Sequence, residues 1–194
     1  MSRSVLLVMD MINDLIHADG PNAKTYAPII VRDRILEKTA ALIAKARAAG
    51  VRVGYVRVGF SPDYVQCPPN SPVFSAARER GLFKLGSWGT EVHAAIAPEA
   101  ADIDIVKHRV SPFYGTSLEP TLRALGTSRL YLTGVSTNGV VHTGAREGHD
   151  RDYEVVVVED CCAGATDEEH KNALFCVKRF AKIQGAGQVD FDRE

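Results

Sequence analysis

Short runs of apolar, β-branched residues recur along this 194-residue chain, each separated from the next by a segment with helical spacing. The runs are Ser4–Met9, Arg52–Val58 and residues 103–106, 129–133 and 154–158, with a weaker sixth at Lys182–Gln184. Each is apolar almost throughout rather than alternating. A strand wetted on one face alternates; a strand covered on both faces does not, and such strands assemble into parallel sheets. Residues 32–49 place Ile35, Thr39, Leu42, Ile43 and Ala46 on one helical face and stop at Gly50. Further helices are expected over residues 117–125, ending at Gly126, and from a cap at Thr137 or Asn138 to about Arg151. A fourth is expected from Thr166 to Phe180, with Asp167, Glu168 and Glu169 in its first turn as the helix dipole favours. Strands alternating with helices predict right-handed crossovers and an α/β fold: a three-layer α/β/α, Rossmann-like, six-stranded parallel sheet. Residues 18–30, with Pro21 and Pro28, read as irregular. So do residues 59–89, with four prolines and Trp88, and a stretch that long in a compact domain is expected to be functional or to contact another subunit.

Composition narrows the function classes. With 23 Lys+Arg against 24 Asp+Glu, the formal net charge is −1. No basic run or basic amphipathic stretch is present, which argues against nucleic acid or an anionic membrane as partner. No apolar run approaches the ~18–20 residues of a membrane span. The apolar start of the chain ends at Asp10 with no small-residue cleavage site after it, so it reads as a buried strand rather than an export signal. Cys67, Cys161, Cys162 and Cys176 have neither metal-ligand nor disulfide-scaffold spacing. Free thiols in the cytoplasm are expected. At this length one domain over residues 1–194 is expected.

In an open parallel sheet, ligands bind beyond the C-terminal strand ends. Asp10 follows the first strand; Phe60 and Tyr64 lie in the segment after the second. Lys107 and His108 follow the third, with Phe113 and Tyr114 a little further on. Residues 134–140 form a strand-to-helix turn after the fourth, and Glu159 and Asp160 follow the fifth. A carboxylate at an apolar strand end is costly unless paired, and Lys107 is the obvious partner. The two read either as an acid–base pair at a crevice floor or as a structural ion pair. The glycines of residues 134–140 allow close backbone approach, and amides at the following helix start can bind an anion; the same segment also reads as a plain capped turn. It has no nucleotide-binding glycine spacing. His142 and His149 are two turns apart, unlike a zinc pair, and read as surface residues, while Cys161 and Cys162 read as small buried thiols.

Four segments taken together resemble the isochorismatase-like hydrolases, also called cysteine hydrolases. They are Leu7-Val8-Met9-Asp10-Met11-Ile12-Asn13-Asp14, Val106-Lys107-His108-Arg109 with Phe113-Tyr114-Gly115-Thr116, Leu132-Thr133-Gly134-Val135-Ser136-Thr137-Asn138, and Val158-Glu159-Asp160-Cys161-Cys162-Ala163. The resemblance spans nearly the whole chain in order. It implies a homodimer or homotetramer acting on a small molecule. It also implies that Asp10 and Lys107 are catalytic, that Val135–Ser136 is a cis peptide, and that the amides of Ser136 and Val140 form an oxyanion pocket. The family's nucleophilic Cys falls at Val140, so this chain departs from the pattern there. The metal motif of the nicotinamidases is absent, so no metal or cofactor is implied. Phe60, Tyr64, Trp88, Phe113, Tyr114 and Asn138 are the candidate pocket residues.

Loss of the thiol closes the covalent thioester route. The leading expectation is a hydrolase of a small, anionic metabolite working without Cys, with vinyl ether hydrolysis as one such reaction. A catalytically inactive binder or interaction protein on the same scaffold is the alternative. A third reading is an amidohydrolase with a substitute nucleophile, Ser136 or water.

Overall fold

The computed structural model describes residues 3–191. Among these residues six parallel strands form one sheet: β1 (Ser4–Met9), β2 (Arg52–Val58), β3 (Ile103–Lys107), β4 (Arg129–Val135), β5 (Glu154–Ala163) and β6 (Lys182–Gln184), in the order β3-β2-β1-β4-β5-β6. β1 is central and pairs in parallel with both β2 and β4. The chain winds one way from β1 to β3 and the other way from β4 to β6. The reversal falls between β1 and β4, where a crevice opens at the strand ends.

Among the described residues seven α-helices accompany the sheet: α1 (Asn13–Ile16), α2 (Ala23–Arg32), α3 (Ile35–Ala48), α4 (Ala77–Arg80), α5 (Leu118–Ala124), α6 (His142–Asp150) and α7 (Asp167–Val177). Successive β1 residues explain the layering, because strand side chains alternate between faces. Leu6 and Val8 pack with Ile30 of α2 and Ile35, Leu42, Ile43 and Ala46 of α3. Val5, Leu7 and Met9 pack with Leu118 and Leu122 of α5, Ala145 of α6 and Val177 of α7. Burying a side chain such as Leu6 or Leu7 completely is worth about 1.5–3 kcal/mol. A third cluster, built from Ile12, Val58, Phe60, Tyr64, Phe74, Leu82 and Phe83, sits over the C-terminal strand ends. Among the described residues no helix is long and apolar enough to cross a membrane.

Three local expectations are corrected. Residues 18–30 are not irregular throughout: α2 begins at Ala23 and tolerates Pro28 on its exposed side. The helix expected from residue 32 is two helices, because Arg34 adopts a left-handed conformation (φ 53°) that ends one and starts the other. β5 runs on to Ala163 through the polar pair Glu159-Asp160. Its register against β4 jumps from Leu132↔Val157 to Gly134↔Cys162, so the extra residues bulge out of the ladder.

Candidate active site

Asp10 is the first residue beyond β1, with φ 56°, a left-handed conformation that Asp tolerates better than bulkier residues. Its carboxylate reaches across the end of β2. Oδ1 accepts from the Val58 amide at 2.7 Å, and Oδ2 lies 2.8 Å from Nζ of Lys107, the last residue of β3. Lys107 Nζ also donates to the Arg109 carbonyl at 3.0 Å. Both side chains are buried, Lys107 to 1 % exposure and Asp10 to 5 %. Burial pushes the Asp10 carboxyl above its ordinary value; the Lys107 ammonium and the Val58 amide pull it back only in part.

The turn after β4 faces this pair. The Val135–Ser136 peptide is cis. Gly134 adopts φ 143° with its α-carbon so close to β1 that an added Cβ would overlap the Met9 carbonyl oxygen. Thr137–Val141 form a single π-helical turn that leads into α6, a local widening that often marks functional positions. Neither Thr137 nor Asn138 caps a helix here, contrary to the sequence expectation. Their side chains point to α7 instead: Thr137 Oγ1 lies 2.8 Å from His170 Nδ1, and Asn138 Nδ2 donates to Glu169 Oε2 at 3.1 Å. Thr166 does cap α7, accepting from the Glu169 amide.

A cavity of about 500 Å³ lies over these groups and contains Asp10, Lys107, Val135, Ser136, Asn138 and Val140 in its lining. Further walls come from Leu15 of α1, Asn22 just before α2, Thr25 and Tyr26 of α2, and residues 73–83 (Val73, Phe74, Arg80, Leu82, Phe83), with Val58, Val110 and Gly139 completing the lining. Burial raises the pKa of the Tyr26 hydroxyl, and the neighbouring Ser136 side chain offsets this only in part. Arg80 is exposed at the rim, and its guanidinium makes no ion pair with a described residue.

Of the pocket residues expected from the sequence, Asn138 lines the cavity; the five aromatic ones do not. Phe60 and Tyr64 are buried in the third cluster, where Phe60 stacks on His108 at 6.1 Å. Phe113 stacks on Tyr153 at 6.3 Å beneath Arg151. Tyr114 is exposed beside a separate groove with His108 and Arg109. Trp88 is half exposed and meets His17 edge-on. Sequence reasoning missed Tyr26 and Arg80. The helical spacing of Tyr26, Ile29 and Ile30 was the available signal for the first; no local pattern marks the second. Cys161 and Cys162 are buried, and burial raises both thiols, Cys161 to about 12. Among the described residues no group of three His, Cys, Asp or Glu side chains is arranged to hold a metal ion.

The sequence and the fold have counterparts among known proteins. The model of the isochorismatase domain matches residues 4–188. The ureidoacrylate amidohydrolase RutB of Methylorubrum extorquens is 34% identical over 169 residues, covering 81% of this chain and 68% of that protein. The uncharacterized isochorismatase family protein YecD of Escherichia coli O157:H7 is 31% identical over 188 residues, 96% of this chain and 94% of its own. Among solved structures, the N-carbamoylsarcosine amidase of Thermoplasma acidophilum superposes with a TM-score of 0.78 at 29% identity, covering 98% of this chain and 99% of its own. With the sheet, the strand-end crevice and the matched domain in agreement, the chain belongs to the isochorismatase family of hydrolases.

Proposed function

We propose that this chain hydrolyses a small anionic metabolite without a thiol nucleophile, with Asp10 as the proton donor and acceptor. The observation that carries the reading is the Asp10–Lys107 pair, 2.8 Å apart and buried, in the lining of a cavity where Val140 stands at the position the family resemblance assigns to Cys. A hydrocarbon side chain cannot form a covalent intermediate, so the attacking group is water. Burial keeps the Asp10 proton to higher pH than usual, which suits an acid.

A vinyl ether fits this acid. Asp10 delivers its proton to the terminal vinyl carbon, forming a C–H bond and leaving an oxocarbenium ion. Water adds to the cation and returns a proton to the Asp10 carboxylate. The hemiketal C–O bond then breaks, giving a ketone and an alcohol. Lys107 holds the carboxylate in place and stabilises it while it is charged. The Arg80 guanidinium at the rim offers a counter-charge to an anionic substrate, and Val73, Phe74, Leu82 and Phe83 supply an apolar wall beside it.

The names of the relatives favour a second reading, hydrolysis of a ureido or carbamoyl amide. There the ionised Asp10 would take a proton from water attacking the carbonyl, with Ser136 as the substitute nucleophile in its covalent variant. Steady-state assays with isochorismate, ureidoacrylate and N-carbamoylsarcosine separate the readings. Turnover of isochorismate that Asp10→Asn abolishes supports the first. Amide turnover, or an acyl group trapped on Ser136, replaces it with the second. Binding without turnover across all three compounds identifies a non-catalytic scaffold.

A further inference from the structure

Two adjacent side chains on the first turn of α7 hold two adjacent side chains of the turn that carries Ser136 and Val140. His170 Nδ1 lies 2.8 Å from Thr137 Oγ1, and Glu169 Oε2 accepts from Asn138 Nδ2 at 3.1 Å. Glu169 Oε2 also accepts from the Ala165 amide at 3.3 Å, and its own amide is fixed by the Thr166 cap. The grip is therefore anchored at both ends. Thr137 is fully buried, so its hydroxyl needs a partner within the protein, and His170 provides it. The turn needs such outside support. It has π rather than α hydrogen bonding, and Ser136 at its N-cap makes no side-chain cap bond. Asn138 lines the cavity, and with its amide nitrogen committed to Glu169 its carbonyl oxygen is left for a ligand donor.

We propose that His170 and Glu169 are positioning residues of the active site, which fix the Ser136–Val140 backbone and the Asn138 side chain against Asp10 and Lys107 through Thr137 and Asn138. The assignment rests on the site reading above, because it supposes that position 140 faces the buried pair. His170 acts through Nδ1. An asparagine places a polar atom close to that nitrogen, whereas a glutamine places one nearer Nε2, so Asn can replace His170 and Gln cannot.

The test uses a thiol introduced by Val140→Cys as a reporter, with no substrate required. Iodoacetamide alkylation at that position is followed by peptide mass spectrometry across pH, with the exposed Cys176 as internal control. The midpoint reports the electrostatic surroundings of the thiol, and the plateau reports access. In the Val140→Cys parent the midpoint is expected below the ordinary thiol value of about 8.5, owing to Lys107 and the amides of the turn. Adding Thr137→Val, His170→Ala or His170→Gln is expected to raise it by about one pH unit or more, and adding His170→Asn to leave it in place. Thr137→Val preserves shape and keeps the test valid if His170→Ala does not fold. A lowered midpoint in the parent that none of these changes moves overturns the positioning role while leaving the site reading intact. An ordinary midpoint already in the parent overturns both, since there would be no reactive geometry for α7 to hold.

Discussion

Asp10 and Lys107 end two strands that are not neighbours, yet Oδ2 and Nζ meet at 2.8 Å because the Asp10 side chain crosses the end of β2 and binds the Val58 amide on the way. The carboxylate thus ties three strands together at the crevice floor. Removing one partner leaves an unpaired polar group in the interior, which costs about 3–5 kcal/mol, whereas removing both together costs less. Urea unfolding of Asp10→Asn, Lys107→Met and the double variant is expected to show the double as more stable than the sum of the singles predicts. Strict additivity would mean that the two do not interact.

The raised Asp10 carboxyl fixes the sign of the pH dependence. An acid catalyst works while protonated, so kcat/KM is expected to fall as pH rises through the elevated Asp10 pKa. Lys107 lowers that pKa, so Lys107→Met is expected to carry the alkaline limb to higher pH while reducing the rate. A limb that moves to lower pH in Lys107→Met contradicts the assignment of the limb to Asp10.

Gly134 allows the crevice to close. Any Cβ there meets the Met9 carbonyl oxygen, and φ 143° is open to glycine almost alone. Gly134→Ala is expected to destabilise the fold by more than about 3 kcal/mol or to prevent soluble expression. An alanine variant with unchanged thermal stability would show that β1 and β4 are less tightly apposed than described.

Arg80 separates binding from chemistry. It is exposed and has no ion-pair partner among the described residues, so Arg80→Gln is expected to leave thermal stability within ~0.5 kcal/mol. The same change is expected to raise KM for an anionic substrate about tenfold with kcat little altered. An unchanged KM would place the anion elsewhere in the cavity.

These residues also show what the sequence made legible. Strand β1 could be bounded to the residue because burial on both faces makes its run apolar almost throughout, and β2 shows the same pattern between Arg52 and Arg57. Glu159 and Asp160 break the apolar run of β5 where the strand slips in register against β4, so its last residues carry no continuous strand signal. α2 was hidden by Pro28, which a helix tolerates on its exposed side. Asp10 and Lys107 stood out as charges at apolar strand ends, a local signal. The walls of the cavity did not, because Tyr26 and Arg80 reach it only through packing between distant segments. The aromatic residues singled out as pocket candidates lie instead in the third cluster, against Tyr153, and on the surface, since large apolar side chains are drawn to any buried interface. Thr137 and Asn138 carry cap chemistry, but α7 offered their side chains better partners than the amides of their own turn.

Hydrolysis of isochorismate by the unaltered chain and by Asp10→Asn, with ligand affinity measured in parallel, tests whether Asp10 is the acid. Turnover is expected to fall by about 10²–10⁴ in the variant, with affinity essentially retained. Turnover that survives Asp10→Asn undiminished would contradict that role.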